Sequence, residues 1–569
     1  MNIQLIALLA AVTFPIAAVS AQEKPPKPRA ESRFGSHLPP SAIAAMEGIR
    51  PNNIETHVRF LSHDLLEGRG TGQRGGDIAA EYIAAQFALY GLKPAGDNGS
   101  YLQKVPLAGI TPGADTRFTL VPNDGQKPDI KPIDLKPLDD YVAYDQTQQP
   151  ESTVDAEIVY VGYGIEAPEY NWDDYKGVDV KGKVLLMLVN QPSEDPKIFH
   201  GKALTYYGRW TYKYEEAARK GAVGAILIHK TEMASYGWEV VRNSNSGEKS
   251  YLKLDGTPKL KAAAWIQLGV ARNLFAASGL DLDKMMAAAA SRDFKPVPLH
   301  VRLSAHMTSK VRPFESNNVI AVLPGSGAVL KNEGVMYTAH YDHLGIRPDM
   351  PGDNIYNGAM DNATGCGILM EIARAYAGAA QRPRRSIYFV SVTAEEQGLL
   401  GSEYLGKHPP IPAGKISLDL NYDDLMPLGV PEEVEVSGAE RTTLYPVVQA
   451  VARDFRFAIR PDARPEAGHY YRSDHFSLAR VGIPAFSINE GMKFKGHDEA
   501  WGLAQDADYT AHHYHQPSDE YHPGMDWTSD ADMARFGFAL GWQAANQARP
   551  VDWKKGDEFE RARRASQSP

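Results

Sequence analysis

After Pro313 the chain alternates short apolar runs with amphipathic stretches, and this rhythm restricts it to one kind of architecture. Segments 319–323, 335–339, 387–392, 416–420 and 483–488 have the length and residue types of strands. Between them, 367–376 and 444–455 carry apolar residues at helical spacing. Strand, loop and helix in repeated succession predict an α/β domain, its mixed and largely parallel central sheet flanked by helices. In such sheets ligands collect beyond the carboxyl ends of the strands. His340, Glu395 and Asp423 each follow a strand candidate almost immediately.

With 569 residues the chain needs two or three cores. Its 43% hydrophobic and 23% charged content is that of a globular protein. A net charge of -10 and the lack of any basic, aromatic-interleaved segment exclude a nucleic-acid partner. Residues 5–19 are apolar and uncharged, and Val19-Ser20-Ala21 offers the small residues a signal peptidase requires. A secretory signal over 1–21, cut after Ala21, is expected to deliver a secreted or periplasmic protein with no membrane span after cleavage. The n-region Met1-Asn2-Ile3-Gln4 departs from the usual pattern in lacking Lys and Arg. Cys366 is the only cysteine, which rules out an internal disulfide; at a helix start it reads as a small buried residue.

Composition divides the chain further. Residues 22–50 open with a Pro- and charge-rich run and are expected to form a flexible leader. Residues 51–150 begin the main domain, with two helical stripes between 52 and 92 around a glycine-rich loop at 67–76. That loop lacks the Lys-Ser/Thr ending of a phosphate loop and reads as structural. Residues 151–305 form an inserted, β-rich accessory domain, with strands near 158–161, 184–189 and 225–228 and a helix near 214–220. It holds no cluster of His, Cys or paired acids. Residues 306–548 complete the catalytic domain, and 549–569 form a mixed-charge tail, expected as a solvated helix or a disordered end.

The chemistry lies in five short motifs. Glu395 and Glu396 end the apolar run 386–394, so one carboxylate can hold a cation while its neighbour acts as a base. His340 follows a strand, and Asp342 stands where it can orient the ring from behind. Asp361 sits where a loop enters a helix, a position that a simple N-cap also occupies. Asp423 follows another strand, with Asp419 and Asp424 as rivals for its role, and His515 lies in a His-rich run. Imidazole and carboxylate donors without a thiolate cage suit Zn²⁺, and Mn²⁺ or Co²⁺ accept the same donors. With one bridging carboxylate, two ions sit about 3.5–4 Å apart, as in two-metal hydrolases.

These motifs resemble the co-catalytic zinc aminopeptidase family, metallopeptidase family twenty-eight. The matching stretches are 339–345, 358–365, 394–398, 421–423 and 514–515, with 65–70, 472–475 and 481–484 around them. The similarity runs from about 52 to 546, and 151–305 resembles a protease-associated domain through Gly162-Tyr-Gly164, Gly182-Lys-Val184 and Ala218-Arg-Lys-Gly-Ala222. The resemblance implies His340 and Asp423 on one zinc, Glu396 and His515 on the other, and Asp361 bridging. It implies Glu395 as general base and Tyr514 as the group that steadies the oxyanion, and its Asn-x-Asp phrase selects Asp423. Departures are Thr364 where Ser is usual and the extra acid Asp424.

The expected protein is an exported di-zinc aminopeptidase acting on peptide substrates. The same fold also serves carboxypeptidases, for which Arg472 is an available cation, and glutaminyl cyclases, where the resemblance implies a single metal. A non-enzymatic binding module is disfavoured because no ligand is missing. The insert is expected to cover the mouth of the site and restrict substrate length.

Overall fold

A computed structural model describes residues 38–123, 131–199, 201–234, 236–348 and 350–568. The expected secretory signal and its cleavage point, with the leader as far as residue 37, lie outside the described residues. Ten strands organise the molecule: β1 (Leu102–Pro112), β2 (Glu151–Tyr160), β3 (Val184–Leu188), β4 (Gly224–His229), β5 (Ala262–Gln267), β6 (Val297–Leu323), β7 (Gly334–His340), β8 (Ser386–Val392), β9 (Ile416–Asn421) and β10 (Ala485–Ser487). Nine of them lie in the order β10-β9-β7-β8-β6-β2-β3-β4-β5 within one continuous sheet, and β1 pairs with β6 off this path. Strands β8, β7, β9 and β10 are mutually parallel, and β6 joins β8 antiparallel. The sheet is therefore mixed and largely parallel at the end that carries the motifs. Every residue of β7 and β8 is buried, as expected where helices cover both faces.

Strand β6 holds the two halves of the molecule together. Its first part pairs with β2 and with the strand Arg117–Pro122, and its second part pairs with β1 and β8. The accessory sheet thus begins at Arg117, before the expected 151, and takes in the edge strand Tyr141–Tyr144 beside β5. Its centre, β2-β3-β4-β5, is parallel, and the helix Trp210–Arg219 feeds β4, so this unit is itself α/β at its heart. Several contacts tie the accessory unit to the main domain, among them three near the 465–480 region and the tail. Leu204 N–H donates to the Pro465 carbonyl at 2.9 Å, Tyr206 N–H to Glu558 at 3.2 Å, and Arg480 pairs with Glu215 at 2.8 Å.

Six helices frame the site-bearing sheet: α1 (Pro40–Glu47), α2 (Pro51–Leu61), α3 (Arg74–Leu89), α4 (Gly365–Gly378), α5 (Thr528–Asn546) and α6 (Glu560–Gln567). Helix α4 is buried on nearly every side, the state of an all-apolar helix inside a core. Gly367 lets α2 approach it, since a Cβ there would lie 3.1 Å from the Ile54 side chain.

Both ends of the chain correct the expectation drawn from composition. Residues 38–50 are not a flexible leader: Leu38, Ala42, Ile43, Met46 and Ile49 are buried in the main core. Glu371 accepts the Arg50 N–H, and Arg374 holds the Gly48 carbonyl at 2.6 Å. The charged tail is docked, because Val551, Trp553 and Phe559 anchor it. Arg563, buried on α6, donates to the carbonyls of Ile416 at 2.9 Å and Val551 at 3.2 Å. Among the described residues, no helix is long and apolar enough to cross a membrane.

Candidate metal centre

Parallel register brings the motifs together. His340 on β7 lies opposite Val392 on β8, and Thr338 lies opposite Asn421 on β9. The residues just beyond these positions, Glu395, Glu396 and Asp423, therefore emerge at one edge of the sheet. Asp361 arrives from the loop entering α4. That loop turns at Gly358 (φ 58°), where a Cβ would lie 2.2 Å from the Asp361 carbonyl and 2.7 Å from the His343 ring. The Asp361–Asn362 peptide is cis.

Two groups of donors meet at Asp361. Its Oδ1 lies 3.3 Å from His340 Nε2, which is 2.9 Å from Asp423 Oδ1. Its Oδ2 lies 3.1 Å from His515 Nε2, which is 3.1 Å from Glu396 Oε2. His340, Asp361, Asp423, Glu396 and His515 thus lie within contact of one another, Asp361 turning one oxygen to each group, and Glu395 precedes Glu396 at the end of β8. Donor atoms of His340, Asp361 and Asp423 all lie within 4.8 Å of one another, as do those of His343, Asp361 and Glu396. Mixed imidazole and carboxylate donors at this spacing fit zinc.

Neither rival of Asp423 pairs with His340 among the described residues. Asp419 accepts from Thr338 within the sheet, at 3.1 Å. Asp424 has a buried Oδ1 without a hydrogen-bond partner among the described residues. Asp423 itself is held by the Ser473 hydroxyl, and Asn489 Nδ2 donates to its carbonyl at 2.5 Å.

Asp342 acts differently from expectation. Its carboxylate Oδ1 is 3.9 Å from His340 Nδ1, too far for a hydrogen bond. The ring is met instead by the Asp342 backbone carbonyl, 3.1 Å from Nδ1. The carboxylate accepts the Glu395 N–H at 3.1 Å and the Thr71 hydroxyl at 2.7 Å. Asp342 therefore steadies the turn that presents both glutamates. Arg472, the cation available to a carboxypeptidase, is exposed and donates to the Ala467 carbonyl. Tyr514 stacks on His515 with centroids 4.0 Å apart and is 39% exposed, on the solvent side of that ring.

Three contributors were not singled out from sequence. His343 is fully buried, its Nδ1 2.6 Å from Glu396 Oε1. Asp519 accepts the N–H groups of Met360 and Asp361, at 3.0 and 3.1 Å, and so fixes the bridging residue. Arg69, in the loop read as structural, donates to four carbonyls: Leu61 and Tyr341 at 2.7 Å, Asn357 at 2.5 Å and Gly358 at 2.8 Å. It pins the chain after His340 to the chain before Asp361. The available signals were a second His in the His340 motif, an Asp four residues after His515, and an Arg inside a glycine-rich loop. Arg69→Ala would leave those carbonyls unsatisfied in a buried void and is expected to cost about 4 kcal/mol. Urea unfolding measures this, and a loss under about 1 kcal/mol would contradict the role.

The adjacent glutamates are driven apart electrostatically. Burial, only partly opposed by His340, pushes the Glu395 carboxyl well above the usual range. At Glu396, burial and Asp361 act the same way, but His343 and His515 outweigh them and bring it down to about 2. One acid is thus suited to taking a proton and the other to remaining an anionic ligand. For His340 burial disfavours charge, yet Asp423 and Glu395 carry its pKa well above the usual imidazole value. For His515 the same contest, led by Glu396 after burial, ends at about 11. Without metal both rings therefore hold a proton at neutral pH, and zinc, which requires neutral imidazole, must displace it. Calorimetric zinc titration near pH 7 in buffers of different ionisation enthalpy is expected to show release of about two protons per chain, with affinity falling as pH falls. Buffer-independent heats would count against it.

Comparison with known proteins follows the same lines. Residues 318–540 match the family described as Peptidase family M28. A probable zinc metalloprotease of Pyricularia oryzae is 34% identical over 102 residues, 17% of this chain and 18% of that protein. Aminopeptidase NAALADL1 of Mus musculus is 32% identical over 135 residues, 22% of this chain and 16% of that protein. The chain thus spans less than a fifth of the length of either of these curated relatives. Among solved structures, an aminopeptidase from Aneurinibacillus sp. strain AM-1 aligns with 90% of this chain and 99% of its own, at 18% identity and TM-score 0.48. A zinc aminopeptidase from Bacillus subtilis aligns with 90% of this chain and 99% of its own, at 16% identity and TM-score 0.40.

Proposed function

We propose that the chain, whose residues 318–540 match Peptidase family M28, is an exported zinc-dependent aminopeptidase that removes amino-terminal residues from peptides. His340 and Asp423 would hold one ion, Glu396 and His515 the other, and Asp361 both. The observation that supports this most is the placement of Asp361, whose two oxygens face two separate sets of donors. When bound, the ion pair supplies Lewis-acid polarisation of the scissile carbonyl and lowers the pKa of water toward neutrality. Glu395 takes the proton from the attacking water and returns it to the leaving amine. Tyr514 keeps its phenol proton at neutral pH, where an ordinary tyrosine is un-ionised, and donates to the oxyanion. Asp342 and Asp519 hold the turns that carry Glu395 and Asp361.

The amino end is favoured over the carboxyl end because acids dominate the site and Arg472 is engaged elsewhere. Export is supported by the apolar segment 5–19 and its small-residue ending. The accessory unit, read as a protease-associated domain, leans on the 465–468 loop through Leu204, a few residues before Ser473, which holds Asp423. From there it would limit substrate length. Zinc-loaded protein should cleave aminoacyl anilides and short peptides with free amines, lose activity to chelator, regain it with zinc, and slow as peptides lengthen. Equal cleavage of amine-blocked peptides would refute the aminopeptidase reading. Constant rates from dipeptides to decapeptides would remove the length restriction.

A further inference from the structure

Ligand and base roles account for Asp361, Glu395, Glu396 and Asp423, and turn-holding roles for Asp342 and Asp519. Asp424, directly after Asp423, has no role among these. Its Oδ1 is buried without a partner, and among the described residues no Lys or Arg pairs with it. Its backbone is in the left-handed region (φ 56°), a costly conformation for a residue with a side chain. The strand end is clamped just before it: Tyr422 N–H donates to the Thr338 carbonyl at 3.0 Å, and Asn489 holds the Asp423 carbonyl. The carboxylate is close enough to Asp361, Asp423, His340 and His515 for their charges to act on it, and close enough to Tyr514 to act on the phenol in turn. It follows the ligand Asp423 directly at the end of β9, and its charge reaches both donor groups and the tyrosine. A buried carboxylate oxygen without a partner is costly unless a cation arrives to satisfy it.

We propose that Asp424 binds the positive charge on the first residue of the substrate, an ammonium or guanidinium, and so determines which peptides are accepted. This deepens the aminopeptidase reading and rests on it. The charge has two sources, the α-ammonium of any free amino terminus or the side chain of a first Lys or Arg. In either case Asp424 contributes binding of the substrate rather than chemistry, so its loss should appear in KM more than in kcat.

The test compares wild type, D424N and D424G as full-length, zinc-loaded protein on the p-nitroanilides of Lys, Leu and Glu, with zinc content measured for each. Glycine suits a positive φ, so D424G removes the carboxylate without straining the turn. Both variants are expected to keep two zinc ions and to raise KM at least tenfold, with kcat within a few-fold. A rise on all three substrates identifies the α-ammonium, and a rise on the Lys substrate alone identifies the side chain. Unchanged KM on all three overturns the proposal, and so does loss of zinc from both variants, which would make Asp424 a ligand. A wild type that cleaves none of the three but does cleave amine-blocked peptides removes the aminopeptidase reading and this proposal with it.

Discussion

Glu395→Gln is expected to lower kcat by about a thousandfold while both zinc ions remain bound. Glutamine preserves the shape of the side chain and the N–H bond from residue 395 to Asp342. It removes only the capacity to take a proton. No imidazole nitrogen is in hydrogen-bonding contact with the Glu395 carboxylate among the described residues, whereas Glu396 is 2.6 Å from His343 and 3.1 Å from His515. Glu396→Gln should therefore act through zinc content, and Glu395→Gln through turnover. The pH profile separates them further. A general base must be ionised, so kcat/KM falls as pH drops through the pKa of Glu395 in the zinc-loaded enzyme, where burial raises it and the ions lower it. Wild type should show that acid limb, and E395Q should lose it along with the rate. A variant retaining more than a tenth of wild-type kcat would show that another group takes the proton.

The contrast between the two glutamates also shows what local sequence carries. An apolar run that stops at two acids is legible, because a strand buried on both faces has no polar residues until it leaves the sheet. The same holds for His340 and Asp423, which follow β7 and β9 directly. Which neighbour touches which carboxylate is not legible. The His343–Glu396 contact depends on the parallel register of two strands far apart in the chain, with His340 opposite Val392. Proximity in sequence points Asp342 at His340, yet its carboxylate crosses to the β8 turn. The accessory boundary is hidden for a similar reason: Arg117–Pro122 finds its partner at Val301–His306, across nearly the whole insert. At both termini, average composition concealed a few anchoring side chains, Ile43 and Met46 at one end and Trp553 and Phe559 at the other.

Asp361→Asn should abolish the pairing of the two ions, and with it activity. An amide offers one oxygen and one NH₂ group, and the NH₂ cannot serve as a ligand. Whichever way the new amide turns, either the His340 side or the His515 side loses its shared oxygen and a full negative charge. Zinc content is expected to fall from two ions to one or fewer per chain, and kcat by at least about a thousandfold. The fold should persist, because Asp519 holds residue 361 through its backbone N–H and the loop is pinned independently by Arg69. The protons carried by the metal-free site provide a second measurement. Asp361 is among the groups raising the pKa of both His340 and His515. Removing its charge lowers both, so each imidazole gives up less proton to an incoming ion, and proton release on zinc addition should shrink relative to wild type. Elemental analysis, calorimetry and turnover on the same preparation would then agree. Two tightly held zinc ions in D361N with unchanged proton release would mean that Asp361 does not bridge, and the two donor groups would have to be read as separate single-metal sites.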